Sequence, residues 1–288
     1  MKTILVPTDF SINAEKALEY ALHLALYFSS EIILLHAWEL PHQKSAMFKS
    51  LQDMVKEKAE NNLRELKEKA QYRFTELKIR SVIMMDEPED AIKSVAQKIG
   101  TDLIIMGTKG ASGLKSYFFG STTNDVIEDA PCPVFAVPEK AEYRNIKTIC
   151  YALDFDHDEI HVIGSLIPMA KVFNAKIILT HITDNLKQKE EKLNNFAEQV
   201  IKLYQYNNID TALLYGENIV ASLVNFVEEN QVDIVSIARK KRDFIERVFH
   251  KSVSKEMTFS STIPIIIFQS SLLPLDVQGK NEEKSSFF

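Results

Sequence analysis

Residues 102–138 read DLIIMGTKGASGLKSYFFGSTTNDVIEDAPCPVFAVP, and this stretch determines the fold class. It contains two short apolar segments, DLIIMG and PVFAVP, separated by a glycine-rich loop and by a helix that is predicted to begin after Gly120. Apolar runs without alternation are typical of strands buried on both faces, as in parallel sheets covered by helices on both sides. The stretch therefore predicts a β–α–β unit of an α/β fold with a right-handed crossover.

The same alternation of strands and helices extends upstream. Apolar strands are predicted at KTILVPTD, at EIILLHAW and at Leu77–Met84, and each is followed by a segment with helical periodicity. Ser11 is placed to cap the first helix and Pro88 to start the third. The first half is therefore expected to form an open, mostly parallel five-stranded sheet with helices on both faces. Ligands of such sheets bind at the carboxyl ends of the strands.

A second copy of this unit follows the first. With a shift of 145 residues Asp9 aligns with Asp154, Phe10 with Phe155 and His36 with His181. Further along, a shift of 131 aligns Asp102 with Asp233 and Ser121 with Ser252. The two shifts make the second copy 14 residues shorter between its second and third strands. Matches in the same order along the whole unit indicate two tandem copies of one fold.

The repeat predicts two tandem domains, 1–140 and 145–270. The linker between them, residues 139–145, is short, so the two domains are expected to pack against each other. Residues 271–288 lack periodicity and are predicted to form a disordered tail.

Composition limits the classes of function. A net charge of -6 and a pI of about 5.7 make bulk nucleic-acid binding unlikely. No apolar stretch approaches the roughly 18 residues of a membrane helix, so no membrane association is expected. Two cysteines do not make a disulfide framework, which favours a reducing compartment. We expect a cytoplasmic protein.

The loop between the two apolar segments has the composition of a phosphate site. Glycines at 107, 110, 113 and 120 let the backbone approach a ligand closely. The N-terminus of the following helix presents free N–H groups and the positive end of the helix dipole. Hydroxyl and ammonium groups add donors and charge at Ser121, Thr122, Thr123, Lys109 and Lys115.

The spacing Gly107-x2-Gly110-x9-Gly120-Ser121 resembles the ATP-binding signature of the universal stress protein family, G-x2-G-x9-G-[ST]. VPTD after the first strand, LLHA after the second and PCPVFAV at the last strand also fit the family. The resemblance covers residues 1–138, and 146–268 at lower strength. It implies a Rossmann-like fold of the adenine-nucleotide α-hydrolase type. It also implies pairing of the two last strands, PVFAVP and PIIIFQ, in an intramolecular pseudo-dimer; a homodimer is a further possibility.

The resemblance implies that the site binds ATP, and that Mg²⁺ is held through the phosphate oxygens of ATP. Asp9 is implied to contact the ribose, the Ala37 backbone the adenine, and residues at 106–107 the nucleoside. The implied nucleotide-binding set comprises Pro7, Thr8, Asp9, Ala37, Met106, Gly107, Lys109, Gly110, Gly120, Ser121, Thr122 and Thr123. Two alternatives stay open: Asp9 as a helix cap, and the glycine loop as an empty flexible loop. His36 is interpreted as a buried, hydrogen-bonded histidine.

The second copy departs from the signature. Ala238, Lys241 and Lys251 stand where the first copy has Gly107, Gly110 and Gly120. Side chains there would fill the space that phosphates need, so ATP is expected in the first domain only. The basic run at 239–242 is interpreted as a surface patch or, alternatively, as an anion site built from side chains.

No catalytic motif is present in the sequence: it lacks a Walker loop, a nucleophile elbow, a zinc-protease helix and paired metal cysteines. We therefore expect an ATP-binding regulator of the stress response with little or no hydrolysis, and assign no catalytic or metal-ligating residue. The alternatives are a slow ATPase or nucleotidyl transferase of a related fold, and a scaffolding protein. Neither the protein partner nor the stress signal is specified by any motif.

Overall fold

The computed structural model describes residues 1–39, 46–108, 120–155, 159–183, 189–216, 219–239 and 262–269. The first half alternates strands and helices from the start: β1 Thr3–Pro7, α1 Ile12–Phe28, β2 Glu31–Trp38, α2 Ala46–Arg73, β3 Ile79–Met85, α3 Pro88–Ile99, β4 Leu103–Gly107, α4 Ser121–Asp129 and β5 Val134–Val137.

The second half repeats this alternation. Its described elements are β6 Thr148–Ala152, α5 Glu159–Phe173, β7 Lys176–Thr183, α6 Lys189–Tyr204, β8 Ile209–Tyr215, α7 Ile219–Glu229, β9 Ile234–Arg239 and β10 Ile265–Gln269. Among the described helices, α2 has 28 residues whereas its counterpart α6 has 16. The predicted tail at 271–288 and residues 240–242 of the basic run lie outside the described residues.

The ten strands that the structure describes form one sheet in the order β3-β2-β1-β4-β5-β10-β9-β6-β7-β8. Strands within each half are parallel, and the halves meet where β5 and β10 run antiparallel, with Phe135 opposite Ile266. The predicted α/β class with mostly parallel strands is confirmed. The two five-stranded sheets are continuous, because the last strand of each half pairs with the other.

The core consists of two layers, one on each face of the sheet. One layer includes Phe135 and Ile266 together with apolar residues of α1 and α5. The other includes Val134 and Ile267 together with apolar residues of α3 and α7. Both layers contain residues of both halves, so apolar packing runs across the β5–β10 junction.

Two aspartates fix the first strand of each half beside its neighbour. Asp102 Oδ2 accepts hydrogen bonds from the amides of Lys2 and Thr3, at 2.6 and 2.9 Å. Asp233 Oδ2 does the same for the amides of Lys147 and Thr148, at 2.7 and 3.0 Å. The Asp102–Asp233 match of the repeat therefore has a structural cause.

The linker between the halves is held against α1. The Tyr20 hydroxyl donates to the carbonyl of Glu142 at 2.8 Å, and the ring of Tyr143 stacks on His23 with centroids 3.8 Å apart. Ala141, directly before Glu142 in the linker, is fully buried. Within the described part of the chain, no helix is both long enough and apolar enough to cross a bilayer.

Candidate functional site

A cavity of about 290 Å³ opens beyond the carboxyl ends of β1 and β4. The chain leaves these neighbouring strands toward opposite sides of the first half's sheet, and such switch points are where open α/β sheets bind ligands. The cavity is lined by Pro7, Thr8, Asp9, Ala14, Leu35, Ala37, Pro88, Ile92, Met106, Gly107, Gly120, Ser121, Thr122 and Thr123.

The structure brings ten of the twelve sequence-predicted residues together around this cavity. The other two, Lys109 and Gly110, lie outside the described residues. Sequence reasoning missed four apolar residues of the lining: Ala14, Leu35, Pro88 and Ile92. Each of these four residues also belongs to the core or to the start of a helix. Their sequence context indicated only that structural role and not a place in the cavity lining.

The loop after β1 is held by its own side chains. Thr8 Oγ1 accepts from the Phe10 amide at 3.0 Å, and Asp9 Oδ1 accepts from the Ser11 amide at 3.0 Å. Ser11 in turn caps α1 by accepting from the Ala14 amide at 3.2 Å, as predicted. Asp9 is therefore not the helix cap, and its exposed carboxylate lies at the cavity wall.

The N-terminus of α4 forms the opposite side of the cavity. Gly120 occupies the N-cap position without a side chain, so the first-turn amides receive no hydrogen bond from a capping side chain at this residue. Ser121 beside it is exposed. The helix start is anchored by the Gly120 amide, which donates to the Thr108 carbonyl at 2.6 Å, and by the Thr123 hydroxyl, which donates to the Gly107 carbonyl at 2.9 Å. The Thr123 hydroxyl thus supports the site from within.

Gly107 has a packing reason to be glycine. A Cβ at this residue would lie 2.8 Å from Cγ of Asn13 and 3.0 Å from its amide nitrogen. Asn13 is itself buried and donates from Nδ2 to the Val137 carbonyl at 2.9 Å. The first glycine of the signature therefore makes room for a side chain that ties α1 to the end of β5.

His36 and the cysteines take no part in this lining. The Nδ1–H of His36 donates to the Thr8 carbonyl at 2.8 Å, and its ring packs on Phe10 with centroids 4.5 Å apart. His36 is hydrogen-bonded as interpreted, but it is only partly buried rather than buried. Cys132 and Cys150 are buried free thiols, and burial raises the pKa of each to about 12, so neither is activated as a thiolate.

The described lining of the cavity contains one charged side chain, Asp9, and no lysine or arginine. Asp125 lies on α4 but does not line the cavity. Burial, reinforced by the negative charges of Glu89 and Glu128, raises the pKa of Asp125. The site thus combines an apolar wall, a carboxylate and a helix N-terminus.

The second half keeps the frame of this site. Phe155 has a positive φ of 62°, close to the 61° of Phe10. His181 Nδ1–H donates to the Leu153 carbonyl at 2.8 Å, and its ring lies 4.4 Å from that of Phe155. Burial lowers the pKa of His181. The local backbone design after the first strand is therefore common to both halves.

Comparison with known proteins agrees with this architecture. Residues 1–138 match the universal stress protein family. A universal stress protein of Methanocaldococcus jannaschii is 32% identical over 155 residues, which are 48% of this chain and 96% of that protein. A second one from the same organism is 30% identical over 142 residues, 47% of this chain and 81% of that protein.

Most of the chain has a counterpart among solved structures. The crystal structure of a universal stress protein from Archaeoglobus fulgidus has a TM-score of 0.72 at 19% identity, covering 93% of this chain and 98% of that one. At this identity the match describes the fold, whereas the sequence matches to about half of the chain identify the family. The chain belongs to the universal stress protein family.

Proposed function

We propose that this chain is a cytoplasmic, ATP-binding regulator of the stress response that holds nucleotide in its first half only and hydrolyses it slowly or not at all. The observation that carries the proposal is the cavity at the β1–β4 switch point. It brings an apolar wall, a single carboxylate and a helix N-terminus to one place, and these are the three kinds of group that a nucleoside phosphate needs.

The residues present fit such a ligand. A cavity of about 290 Å³ is near the lower end of the sizes typical of small-molecule sites, which suits the nucleoside part. Leu35, Pro88 and Ile92 offer an apolar surface to a base. The Asp9 carboxylate would accept hydrogen bonds from ribose hydroxyls. Phosphates would meet the α4 N-terminus at Gly120 and Ser121, with Mg²⁺ held through phosphate oxygens.

The composition of the described lining supports the proposal of slow turnover. Phosphoryl transfer is accelerated by positioned cations, an arginine or a base that act on the transition state. The described lining offers hydroxyls, apolar groups and Asp9. These groups hold a ground state, and ATP is therefore proposed to act as a conformational ligand.

Calorimetric titration with ATP tests the site and its restriction to one half. We expect about one ATP per chain. Asp9→Ala should weaken binding at least about tenfold, on the scale of one lost charge-assisted hydrogen bond, and Gly120→Lys should abolish it. Asp154→Ala is the matched control, because Asp154 is the counterpart of Asp9 in the second half. Two ATP per chain, or equal losses in the two aspartate variants, would contradict the proposal.

Single-turnover assays with Mg²⁺ test the proposed lack of catalysis. We expect hydrolysis far slower than about one per second, a modest enzymatic rate. Hydrolysis near that rate, lost in Asp9→Ala or Asp125→Ala while ATP binding is retained, would instead establish an ATPase.

A further inference from the structure

Ala14 and Glu159 occupy the same position in the two halves. The alignment that matches Asp9 with Asp154 and Phe10 with Phe155 places Ala14 opposite Glu159. Both residues lie in the first turn of the helix that follows the half's first strand. Ala14 lines the cavity of the first half, so its small side chain borders the space open to a ligand.

Glu159 puts a carboxylate at this place in the second half. The residue is only 3% exposed. Its Oε1 and Oε2 accept from the amide of Asp154 at 3.0 and 3.2 Å. The side chain therefore contacts the backbone of the loop after β6, which is the counterpart of the cavity-lining loop after β1. A buried carboxylate is expensive to desolvate, so a partner that holds it there matters for the fold.

Positive groups stand outside this carboxylate. Lys192 on α6 lies over the ring of Phe155, with Nζ 4.4 Å from the ring centroid, and Lys189 lies 5.7 Å from the same centroid. Because Phe155 follows Asp154 directly, these ammonium groups lie close to the loop that Glu159 holds. The second half thus has a buried carboxylate at this position and two ammonium groups near the same loop.

We infer that this one position determines which half is open to a ligand: Ala14 keeps the first cavity open, and Glu159 closes the second from within, in the place of a bound ligand. The inference rests on the proposed function for the identity of the first half's ligand. This reason for a closed second half is independent of the lost signature glycines. Two of those glycines are replaced by Lys241 and Lys251, which lie outside the described residues.

The first arm of the test transfers the closing side chain to the first half. Ala14→Glu should reduce the affinity for ATP at least 100-fold, while the circular dichroism spectrum and the Tm stay close to those of the parent chain. Ala14→Gln adds the same volume without charge and should also lose most binding; it serves as well if the glutamate variant fails to fold. ATP binding within threefold of the parent in a folded Ala14→Glu or Ala14→Gln chain would overturn the inference.

The second arm uses no nucleotide, so it stays informative if the parent chain fails to bind ATP and the proposed function falls. Hydrogen exchange measured by NMR should show the Asp154 amide exchanging at least tenfold faster in Glu159→Ala than in the parent chain. In Glu159→Gln the exchange rate should return toward that of the parent, because the side-chain amide oxygen can still accept a hydrogen bond. The Ser11 amide of the first half is the internal control and should not change. An unchanged Asp154 exchange rate in Glu159→Ala would show that the carboxylate does not hold the loop, and would overturn the inference.

Discussion

Gly164 on α5 faces Tyr204, the last residue of α6, so closely that a Cβ at residue 164 would collide with the tyrosine ring and hydroxyl. In the first half the position of Gly164 is held by Glu19, and α2 ends at Arg73. The Arg73 guanidinium donates to both oxygens of the Glu19 carboxylate, at 2.8 and 2.7 Å. The corresponding helix contact is therefore made by close packing in the second half and by an ion pair in the first half.

Gly164→Ala is expected to destabilise the chain, because the new methyl group displaces Tyr204. Overpacking costs about 1–3 kcal/mol, and the gain in helix propensity offsets up to about 1 kcal/mol of this. The free energy of unfolding from urea denaturation measures the difference. Adding Tyr204→Leu should restore stability. Glu19→Ala, the matched change in the first half, should cost under about 1 kcal/mol because the Arg73 side chain is 55% exposed.

Gly107→Ala should destabilise the first half and weaken ATP binding together. The added Cβ would lie 2.8 Å from Cγ of Asn13, whose buried amide cannot move without breaking its bond to the Val137 carbonyl. A loss of about 1–3 kcal/mol is expected. In the double variant with Asn13→Ala the two losses should not add, because the collision is gone. Additive losses measured by urea denaturation would contradict the proposed clash.

Thr123→Val keeps the side-chain volume but removes the donor to the Gly107 carbonyl. The free energy of unfolding should fall by about 1 kcal/mol, because a buried acceptor loses its partner. Thr122→Val next to it is the control, since Thr122 is half-exposed, and should stay within about 0.5 kcal/mol of the parent. Equal effects of the two changes would argue against a supporting role for Thr123.

Glu159 should make stability depend on pH near neutrality. Burial raises the pKa of Glu159 from 4.5 to about 7, and the negative charge of Asp154 also raises this pKa. Hydrogen bonds from the Asp154 and Phe155 amides and the positive charge of Lys192 lower it in part. The folded chain then keeps a proton that the unfolded chain releases. The free energy of unfolding therefore falls as pH rises from about 4.5 to 7, by up to about 3 kcal/mol.

Glu159→Gln removes the titrating group and supplies the comparison. Urea denaturation at several pH values should show the variant losing less stability than the parent across this window, and exceeding the parent above pH 7 if its other contacts are kept. Parallel pH profiles for the two chains would rule out the shifted carboxyl group.

The order of the elements could be predicted from the sequence because apolar runs are local signals, whereas most of the cavity lining was predicted through the family resemblance that the glycine spacing carries. The sequence alignment matched Asp102 with Asp233, but their hydrogen bonds to the amides that begin β1 and β6 became visible only with the tertiary structure. Asn13 and Ala14 looked like ordinary residues of a helix start. Their importance depends on what lies opposite them, and no periodicity contains that information.

The two halves are joined at a position where symmetry would normally restrict change. Phe135 pairs with Ile266, and these two residues are also each other's counterparts in the repeat. In a dimer of identical chains, the corresponding contact on the two-fold axis joins a residue to its own copy, and every substitution appears twice. Fusion into one chain removes that restriction, because each side is encoded separately. Selection can then retain a ligand pocket on one side of the junction while remodelling the other, with no loss of the shared sheet.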